Sequence, residues 1–231
     1  FRNLGALRSI LGRESNQFTG PITLGSSSRV QSDLNTLTLT GPVITNDNTL
    51  MMGGPGFTSI TGPVSGSGDI IHYGISGFRM QNVTAAQTFS GAIYSQLGEI
   101  RADVSDATTG NNPYANVSAF NLRNSYLNLV ASGTASVVQN RVDDDIPITL
   151  QSGRLRLESA SFNNTSATQN AVNWNEVLGN VTLASGHNYI DFRDTLNNTV
   201  QRSITVNDLV RNPGTMLQLG GDGTASTTIG T

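Results

Sequence analysis

The sequence predicts an all-β fold, a right-handed parallel β-helix (β-solenoid) with coils of about 21 residues. The first observation behind this is a Thr-Gly-Pro tripeptide that recurs at an interval of 21 residues, beginning at Thr19, Thr40 and Thr61. The second is composition: the 231 residues include 25 glycines, only 13% are charged, and runs of helix-forming residues are few. The third is that parallel crossover connections are almost always right-handed.

The Gly-Pro pair marks a corner of each predicted coil. Glycine supplies backbone freedom where the chain bends, and proline fixes φ and lacks an N–H donor, so a strand has to end there. Equivalent residues of successive coils should then stack about 4.8 Å apart. The expected stacks are Phe18/Leu39/Ile60 and Ile22/Val43/Val64 inside, a polar ladder of Thr19/Thr40/Thr61 beside them, and a pairing of Val30 with Met51 at the same interval.

Short strands separated by turn residues are predicted along the chain. They cover residues 22–24, 36–39, 43–45, 49–52, 57–60, 69–72, 78–80, 88–94, 99–104, 126–130, 146–150, 154–158, 177–183, 189–192, 200–206 and 215–219. Beyond Gly68 the spacing of 21 residues is lost, which indicates coils of unequal length. Residues 1–231 are expected to form a single elongated solenoid segment.

The start of the chain and two polar stretches have no strand pattern. Residues 1–17 predict either a short helical turn, from the spacing of Leu4, Leu7, Ile10 and Leu11, or an irregular start that is a partial cap. Residues 105–116 and 159–171 are predicted loops because they are rich in Ser, Thr and Asn.

Cysteine and lysine are both absent. The chain therefore has no disulfide, no thiolate ligand, and no lysine for Schiff-base or Walker-type phosphate chemistry. A net charge of −3 with scattered arginines gives no basic stripe, which argues against a nucleic-acid partner. No apolar run approaches the ~18 residues of a membrane helix, so no membrane insertion by this segment is expected.

Nine segments that combine turn residues with short apolar runs extend over most of the chain. They are 18–25 (FTGPITLG), 36–42 (TLTLTGP), 60–68 (ITGPVSGSG), 88–92 (TFSGA), 98–101 (GEIR), 140–144 (NRVDD), 147–157 (PITLQSGRLRL), 176–186 (EVLGNVTLASG) and 209–217 (LVRNPGTML). These segments resemble the autotransporter-associated β-strand repeats of bacterial surface proteins. The resemblance implies a β-helical architecture and a secreted or cell-surface, passenger-like segment.

Acidic residues are the first candidates for chemistry. Asp143, Asp144 and Asp145 could bind Ca²⁺ or supply a glycosidase pair. Further acids or bases for such an enzyme would be Asp103, Asp106 and Asp191. Consecutive residues of a strand point apart, and the Asp-x-Asp-x-Asp-Gly spacing of a cation loop is missing, so a solvated turn before a strand is the favoured interpretation of 143–145.

Histidines, aromatic residues and asparagines are the remaining candidates. His72 and His187 have no carboxylate at metal-ligand spacing and are interpreted as surface or ladder positions. A sugar-stacking platform could use Trp174, Tyr73, Tyr94, Tyr114 and Tyr126, but their irregular spacing favours core or loop-anchoring positions. Asn-x-Ser/Thr sequons occur, as expected from the composition, at Asn82, Asn116, Asn163, Asn164, Asn180 and Asn197.

The sequence thus predicts a structural or adhesive module of a bacterial cell-surface stalk, fibre or matrix, without catalytic, cofactor-binding or metal-binding residues. The alternatives are a polysaccharide-acting β-helix enzyme, either lyase or glycosidase, and a non-catalytic carbohydrate-binding module. Expected partners are further repeats of the same chain, other copies of it, and cell-surface glycans. The start at Phe1 and the Gly/Ser/Thr tract 220–231 lead us to expect a piece of a longer extracellular protein with uncapped end coils.

Overall fold

The computed structural model describes residues 6–10, 14–81, 87–103, 112–131, 141–159, 174–193, 202–221 and 225–229. Over these residues the fold is all-β, and its strands, numbered β1 to β23 along the chain, lie in three parallel sheets. This arrangement is consistent with a β-solenoid. The same ranges contain no helix that is long and apolar enough to cross a membrane.

The chain visits the three sheets in a repeating order. Within the described ranges, sheet A contains β1 (Leu7–Ser9), β4 (Ser28–Ser32), β7 (Leu50–Gly53), β10 (Ile70–His72), β13 (Ile93–Ser95), β15 (Phe120–Arg123), β17 (Ile148–Gln151), β19 (Trp174–Ser185), β21 (Arg202–Arg211) and β23 (Ala225–Ile229). Sheet B contains β2 (Asn16–Phe18), β5 (Thr36–Leu39), β8 (Phe57–Ile60), β11 (Gly77–Met80), β14 (Glu99–Asp103), β16 (Tyr126–Ala131), β18 (Arg154–Ser159), β20 (His187–Arg193) and β22 (Met216–Gly221). Sheet C contains β3 (Ile22–Thr23), β6 (Val43–Ile44), β9 (Val64–Gly66) and β12 (Thr88–Phe89). Each turn of the chain therefore adds one strand to sheet A and one to sheet B.

The predicted apolar stacks lie inside the sheets. Phe18 pairs with Leu39 and Leu39 pairs with Ile60 in sheet B. Leu39 and Ile60 are buried, and Phe18 is partly buried against the core. The second stack is found in sheet C, where Ile22 pairs with Val43 and Val43 with Val64. Both predicted stacks are confirmed.

The Thr-Gly-Pro corners stack on one another between sheets B and C. The backbone N–H of Thr61 donates to the carbonyl of Leu39 at 2.8 Å, and the Thr61 hydroxyl lies 3.3 Å from the same oxygen. A Cβ atom at Gly62 would collide with the carbonyl oxygen of Gly41. The same contacts join Thr40 to Phe18 and Gly41 to Gly20. Glycine is required at this corner because two backbones approach closely.

One predicted pairing is wrong by one residue, because Val30 pairs with Met52 and not with Met51. The segment between β6 and β7 is one residue longer than the segment between β3 and β4. Its extra residue is accommodated in a turn where Asn46 has a left-handed backbone, with φ of 53°. As a result Met52 is fully buried and Met51 faces outward.

Three predictions of local structure differ from what is observed. Residues 88–94 form two strands, β12 and β13, because Gly91 turns the chain from sheet C to sheet A against the Gly68 carbonyl. Residues 1–17 contain β1 and the start of β2 where a helical turn or an irregular start was predicted, while Leu4 and Leu11 lie outside the described residues. The tract 220–231 contributes to β22 and β23.

The remaining predicted strands each overlap an observed strand, and β4, β9 and β15 were not predicted. In the predicted loop 105–116, residues 113–116 form a turn. In the predicted loop 159–171, Ser159 is the last residue of β18. Residues 105–111 and 160–171 lie outside the described residues.

Connections on the two sides of sheet B differ in length. From sheet A to sheet B the chain turns within two residues after β15 and after β17, with Asn124 and Ser152 in left-handed conformations at φ of 49° and 52°. From sheet B back to sheet A the connections lengthen, so that paired residues are 35 positions apart at Leu155 and Ile190. The tight corners hold the outward side chains of successive sheet-B strands in register.

Candidate functional site on the outer face of sheet B

The predicted acidic cluster lies in a turn that leads into sheet A. The backbone N–H of Ile146 donates to the carbonyl of Asp143 at 3.1 Å, which closes the turn before β17. Asp144 and Asp145 are exposed. Burial, and next the charge of Asp144, raises the pKa of the Asp143 carboxyl above its ordinary value.

A buried carboxylate that sequence reasoning missed holds this turn in place. Glu176 in β19 is fully buried, and its Oε1 accepts the backbone N–H groups of Arg141 and Val142 at 2.8 and 3.0 Å. Gly179 in the same strand lies so close to the carbonyl of Asp144 that a Cβ atom would collide with it. The acidic turn is therefore fixed against β19 as a structural element.

Of the other predicted acids, only Asp191 is described by its side chain, and it is not gathered with this turn. Asp191 lies in β20 of sheet B, whereas 143–145 precede a strand of sheet A. Asp103 ends β14, but its side chain and the whole of Asp106 lie outside the described part of the chain. Among described residues, no group of three or more His, Asp or Glu side chains could hold a metal ion.

The two histidines occupy different environments. His72 is buried inside sheet A, where its Nδ1 lies 3.2 Å from Ser95 Oγ and its ring packs 5.4 Å from the ring of Phe78. Burial lowers the pKa of His72 from 6.5 to about 4. His187 lies on the outer face of sheet B, where the hydroxyl of Tyr189 is 3.1 Å from its Nδ1.

The four predicted tyrosines, which the structure describes, do not form one platform. Tyr114 is fully buried, with its hydroxyl donating to the Arg101 carbonyl at 2.9 Å. Tyr73 lies under the guanidinium of Arg29, and Tyr94 is exposed. The side chain of Trp174 lies outside the described residues, as do the sequons at Asn82, Asn163, Asn164 and Asn197. The sequon residues Asn116 and Asn180 are exposed.

The outer face of sheet B joins charged and aromatic side chains that are far apart in the sequence. The strand register places Glu99, Tyr126, Arg154 and Tyr189 in one row across β14, β16, β18 and β20, and Arg101, Asn128, Arg156 and Asp191 in a second row. Neighbouring strands are about 4.8 Å apart, so successive members of a row are within contact distance. Of these residues, only Tyr126 and Asp191 were candidates from the sequence.

Asp191 is shared by two arginines. Nε and Nη2 of Arg156 donate to Asp191 Oδ2 at 3.2 and 3.0 Å. Nε of Arg154 lies 3.7 Å from Oδ1, an oxygen that is buried and accepts no hydrogen bond from the described residues. One carboxylate thus balances two guanidinium groups, which leaves net positive charge at this point of the face.

Tyrosine rings fix the position of these arginines. The guanidinium of Arg154 lies 4.9 Å from the ring centroid of Tyr189, and that of Arg156 lies 5.3 Å from the centroid of Tyr126. Cation–π contacts of this kind hold the guanidinium near the ring and contribute about 0.5–1 kcal/mol at exposed sites. Burial, and next the charge of Glu99, raises the pKa of the Tyr126 hydroxyl.

Two carboxylates meet at Asn128. Its Nδ2 donates to Glu99 Oε1 at 2.6 Å and to Glu158 Oε2 at 3.0 Å. Because both oxygens accept from the same nitrogen, the distance between them is smaller than the sum of these two distances. Carboxyl groups about 5–5.5 Å apart are typical of retaining glycosidases. Here, however, the amide of Asn128 fills the space between them, and only 3% of the Glu158 side chain is exposed beside Arg193. The arrangement is a packed cluster in which one amide bridges the two carboxylates.

Two adjoining grooves follow this face. The larger has a volume of about 380 Å³, and its lining includes Arg154, Arg156, Tyr189, Asp191, Arg193 and Gln218. The second has a volume of about 300 Å³ and is lined by Asn124, Ser125, Tyr126, Ser152, Arg154 and Tyr189. Because Arg154 and Tyr189 line both, the two grooves form one path. It runs from the turns that lead from sheet A to sheet B, called the A–B corner, across the outer face of sheet B.

Comparison with known proteins finds no match. No protein-family model, no curated protein and no solved structure is significantly similar to this chain.

Two short sequence signals could have located this face. Residues 154–158 (RLRLE) and 189–193 (YIDFR) alternate charged or aromatic with apolar residues, which predicts strands with a charged outer side. Their pairing was not predictable, because the connection between them has no regular length. The outer face therefore had to be found from the strand register.

Proposed function

We propose that this chain is a structural and adhesive module without catalytic activity, part of an extracellular stalk, fibre or matrix at a bacterial cell surface. In this proposal the fold is a right-handed parallel β-helix, with coils of about 21 residues in its first part. Right-handedness is supported by the general preference of parallel crossover connections. The surface location is supported by the resemblance to autotransporter-associated repeats.

The observation that carries the proposal is the free end of sheet B. Among the described strands, β22 is the last of this sheet, and its inward-facing Leu219 pairs with the fully buried Ile190. Leu219 nevertheless keeps 50% of its surface exposed. A strand with unpaired backbone groups and an exposed inward side chain is a template for another strand. The proposed partner is a further repeat of the same protein or another copy of this segment.

Concentration-dependent light scattering on the 231-residue chain tests this proposal. Association through β22 should raise the average mass with concentration. Leu219→Glu should keep the chain monomeric, because a charge at the strand edge opposes pairing. The matched control is Leu34→Glu, which changes a leucine that is 45% exposed on an A–B corner and should leave association unchanged. A wild-type chain that stays monomeric at all concentrations would contradict end pairing.

A polysaccharide-cleaving enzyme is the second candidate, and it is favoured only by the approach of Glu99 and Glu158 at Asn128. A reducing-end assay against a set of acidic and neutral polysaccharides tests it. Activity that disappears in both Glu99→Gln and Glu158→Gln would establish the enzyme. The non-catalytic proposal predicts no cleavage by the wild-type chain.

A further inference from the structure

We propose that the groove around Arg154 binds an acidic polysaccharide, one that carries carboxylate or sulfate groups on an extended chain. This inference rests on the adhesive part of the proposed function, but it does not depend on association through β22. It assigns the ligand class and the residues that would recognise it.

Arg154 presents hydrogen-bond donors in a fixed position. Its guanidinium is held over the Tyr189 ring and beside Asp191 Oδ1, and 35% of the side chain is exposed. The guanidinium of Arg154 donates no hydrogen bond to any residue that the structure describes, and its Nε lies 3.7 Å from Asp191 Oδ1. A guanidinium offers a planar fork of N–H groups that matches the two oxygens of a carboxylate or sulfate. Since tyrosine and aspartate already fix this fork, binding an anion costs little further ordering.

The charge of the groove selects an anion. Arg154, Arg156 and Arg193 line the larger groove together with one carboxylate, that of Asp191. Glu158 lies 3.9 Å from Arg193 and offsets part of its charge. Among the described residues, these three cations and two anions leave a positive balance, although the whole chain has a net charge of −3. An anionic group at Arg154 is therefore attracted to the groove, whereas a cation is not.

The shape and the polar lining favour a sugar chain over a small anion. The two grooves continue into each other at Arg154 and Tyr189, so a ligand lying in them is extended. On one side of this point the exposed residues Asn124 and Ser152 line the groove, and on the other side the exposed Gln218 does so. Hydroxyl and amide groups can both donate to and accept from sugar hydroxyls.

The larger groove is open because the residue beside Asp191 on the neighbouring strand, β22, is a glycine. The register pairs Asp191 with Gly220, and a Cβ atom at Gly220 would meet no atom within 4 Å. A longer side chain at this position would extend into the groove without displacing any neighbour. Gly220→Gln therefore fills the groove while the charge and the packing are kept.

Isothermal titration with a galacturonate hexasaccharide and a heparin hexasaccharide tests the inference and distinguishes carboxylate from sulfate recognition. Maltohexaose is the neutral control. At least one acidic hexasaccharide should bind, maltohexaose should not, and added salt should weaken binding. Arg154→Gln should weaken binding about tenfold or more, as expected for the loss of a charged hydrogen bond. Gly220→Gln should weaken it as well.

Arg29→Gln is the matched control, because Arg29 is also stacked on a tyrosine, Tyr73, but lies in sheet A. This variant should bind like the wild type. Failure of both acidic hexasaccharides to bind, or unchanged affinity in Arg154→Gln and Gly220→Gln, would overturn the inference. Equal binding of hexaglutamate would show charge attraction without sugar recognition and would also overturn it. Any of these results leaves association through β22, measured separately, unaffected.

Discussion

Gly41 lies directly against the carbonyl group of Gly20, and a Cβ atom at Gly41 would collide with that oxygen. Gly41→Ala should therefore lower the free energy of unfolding by about 1–3 kcal/mol, the usual cost of overpacking a rigid site. Urea unfolding measures this. Gly25→Ala is the matched control, because a Cβ atom there would meet nothing within 4 Å. Equal stability of the two variants would show that the corner is not a close backbone contact.

Leu39 is the middle member of the Phe18/Leu39/Ile60 stack and is 1% exposed. Leu39→Ala should cost about 2–5 kcal/mol, because it removes buried apolar surface and leaves a cavity. Leu34→Ala truncates an exposed leucine five residues earlier and should change stability by no more than about 0.5 kcal/mol. Thermal and urea unfolding of both variants compare these effects. A Leu39→Ala protein that unfolds like the wild type would mean that this stack contributes little.

His72 should make the stability depend on pH. Its pKa is about 4 in the folded chain, because burial disfavours the charged imidazole, and 6.5 is the ordinary value expected after unfolding. Between these values the unfolded chain binds more protons, so stability falls as the pH drops from about 6.5 to about 4. The His72 contribution to this loss is on the order of 3 kcal/mol.

Urea unfolding across this pH range measures the His72 effect. The loss should be smaller in His72→Gln, which cannot titrate, and it should persist in His187→Gln. Identical pH profiles for the wild type and His72→Gln would contradict the burial of a neutral imidazole.

Asn128 separates the carboxylates of Glu99 and Glu158 and donates to both. Asn128→Leu should destabilise the chain at pH 7 by about 1–3 kcal/mol, because it leaves two carboxylate oxygens without their donor. Asn121→Leu, on the outer side of sheet A, is the control and should be nearly neutral. An Asn128→Leu variant as stable as the wild type would show that the two carboxylates do not depend on this amide.

The regular part of the fold was predictable because backbone corners repeat in the sequence. Leu39 and Ile60 were matched correctly, since both precede Thr-Gly-Pro and the distance between these corners stays at 21 residues. Met51 was matched wrongly to Val30, because the turn at Asn46 holds one additional residue and side chains alternate between the two faces of a strand. A single inserted residue is therefore enough to change which of two neighbouring side chains is buried and which faces outward.

The candidate site was much less predictable than the core. Arg156 and Asp191 are hydrogen-bonded across 35 residues of sequence, and the long connection between their strands carries no periodic signal. Arg154 was not a candidate, because the contact of its guanidinium with Tyr189 depends on which strands are neighbours. Sequence alternation shows that such side chains face outward, but only the register shows which of them meet.

The stacking of Gly20, Gly41 and Gly62 also bears on how a gene for this protein can change. Each turn contacts only the turns beside it. Deletion of the 21 codons from Gly41 to Thr61 would bring Gly62 against Gly20 and rebuild the same corner, and a duplication of these codons would add one complete turn. A single-codon insertion inside a strand would instead turn its apolar side chains outward. Unequal recombination between repeats can therefore alter the length of the protein in whole turns, while small insertions are tolerated best in the long connections from sheet B to sheet A.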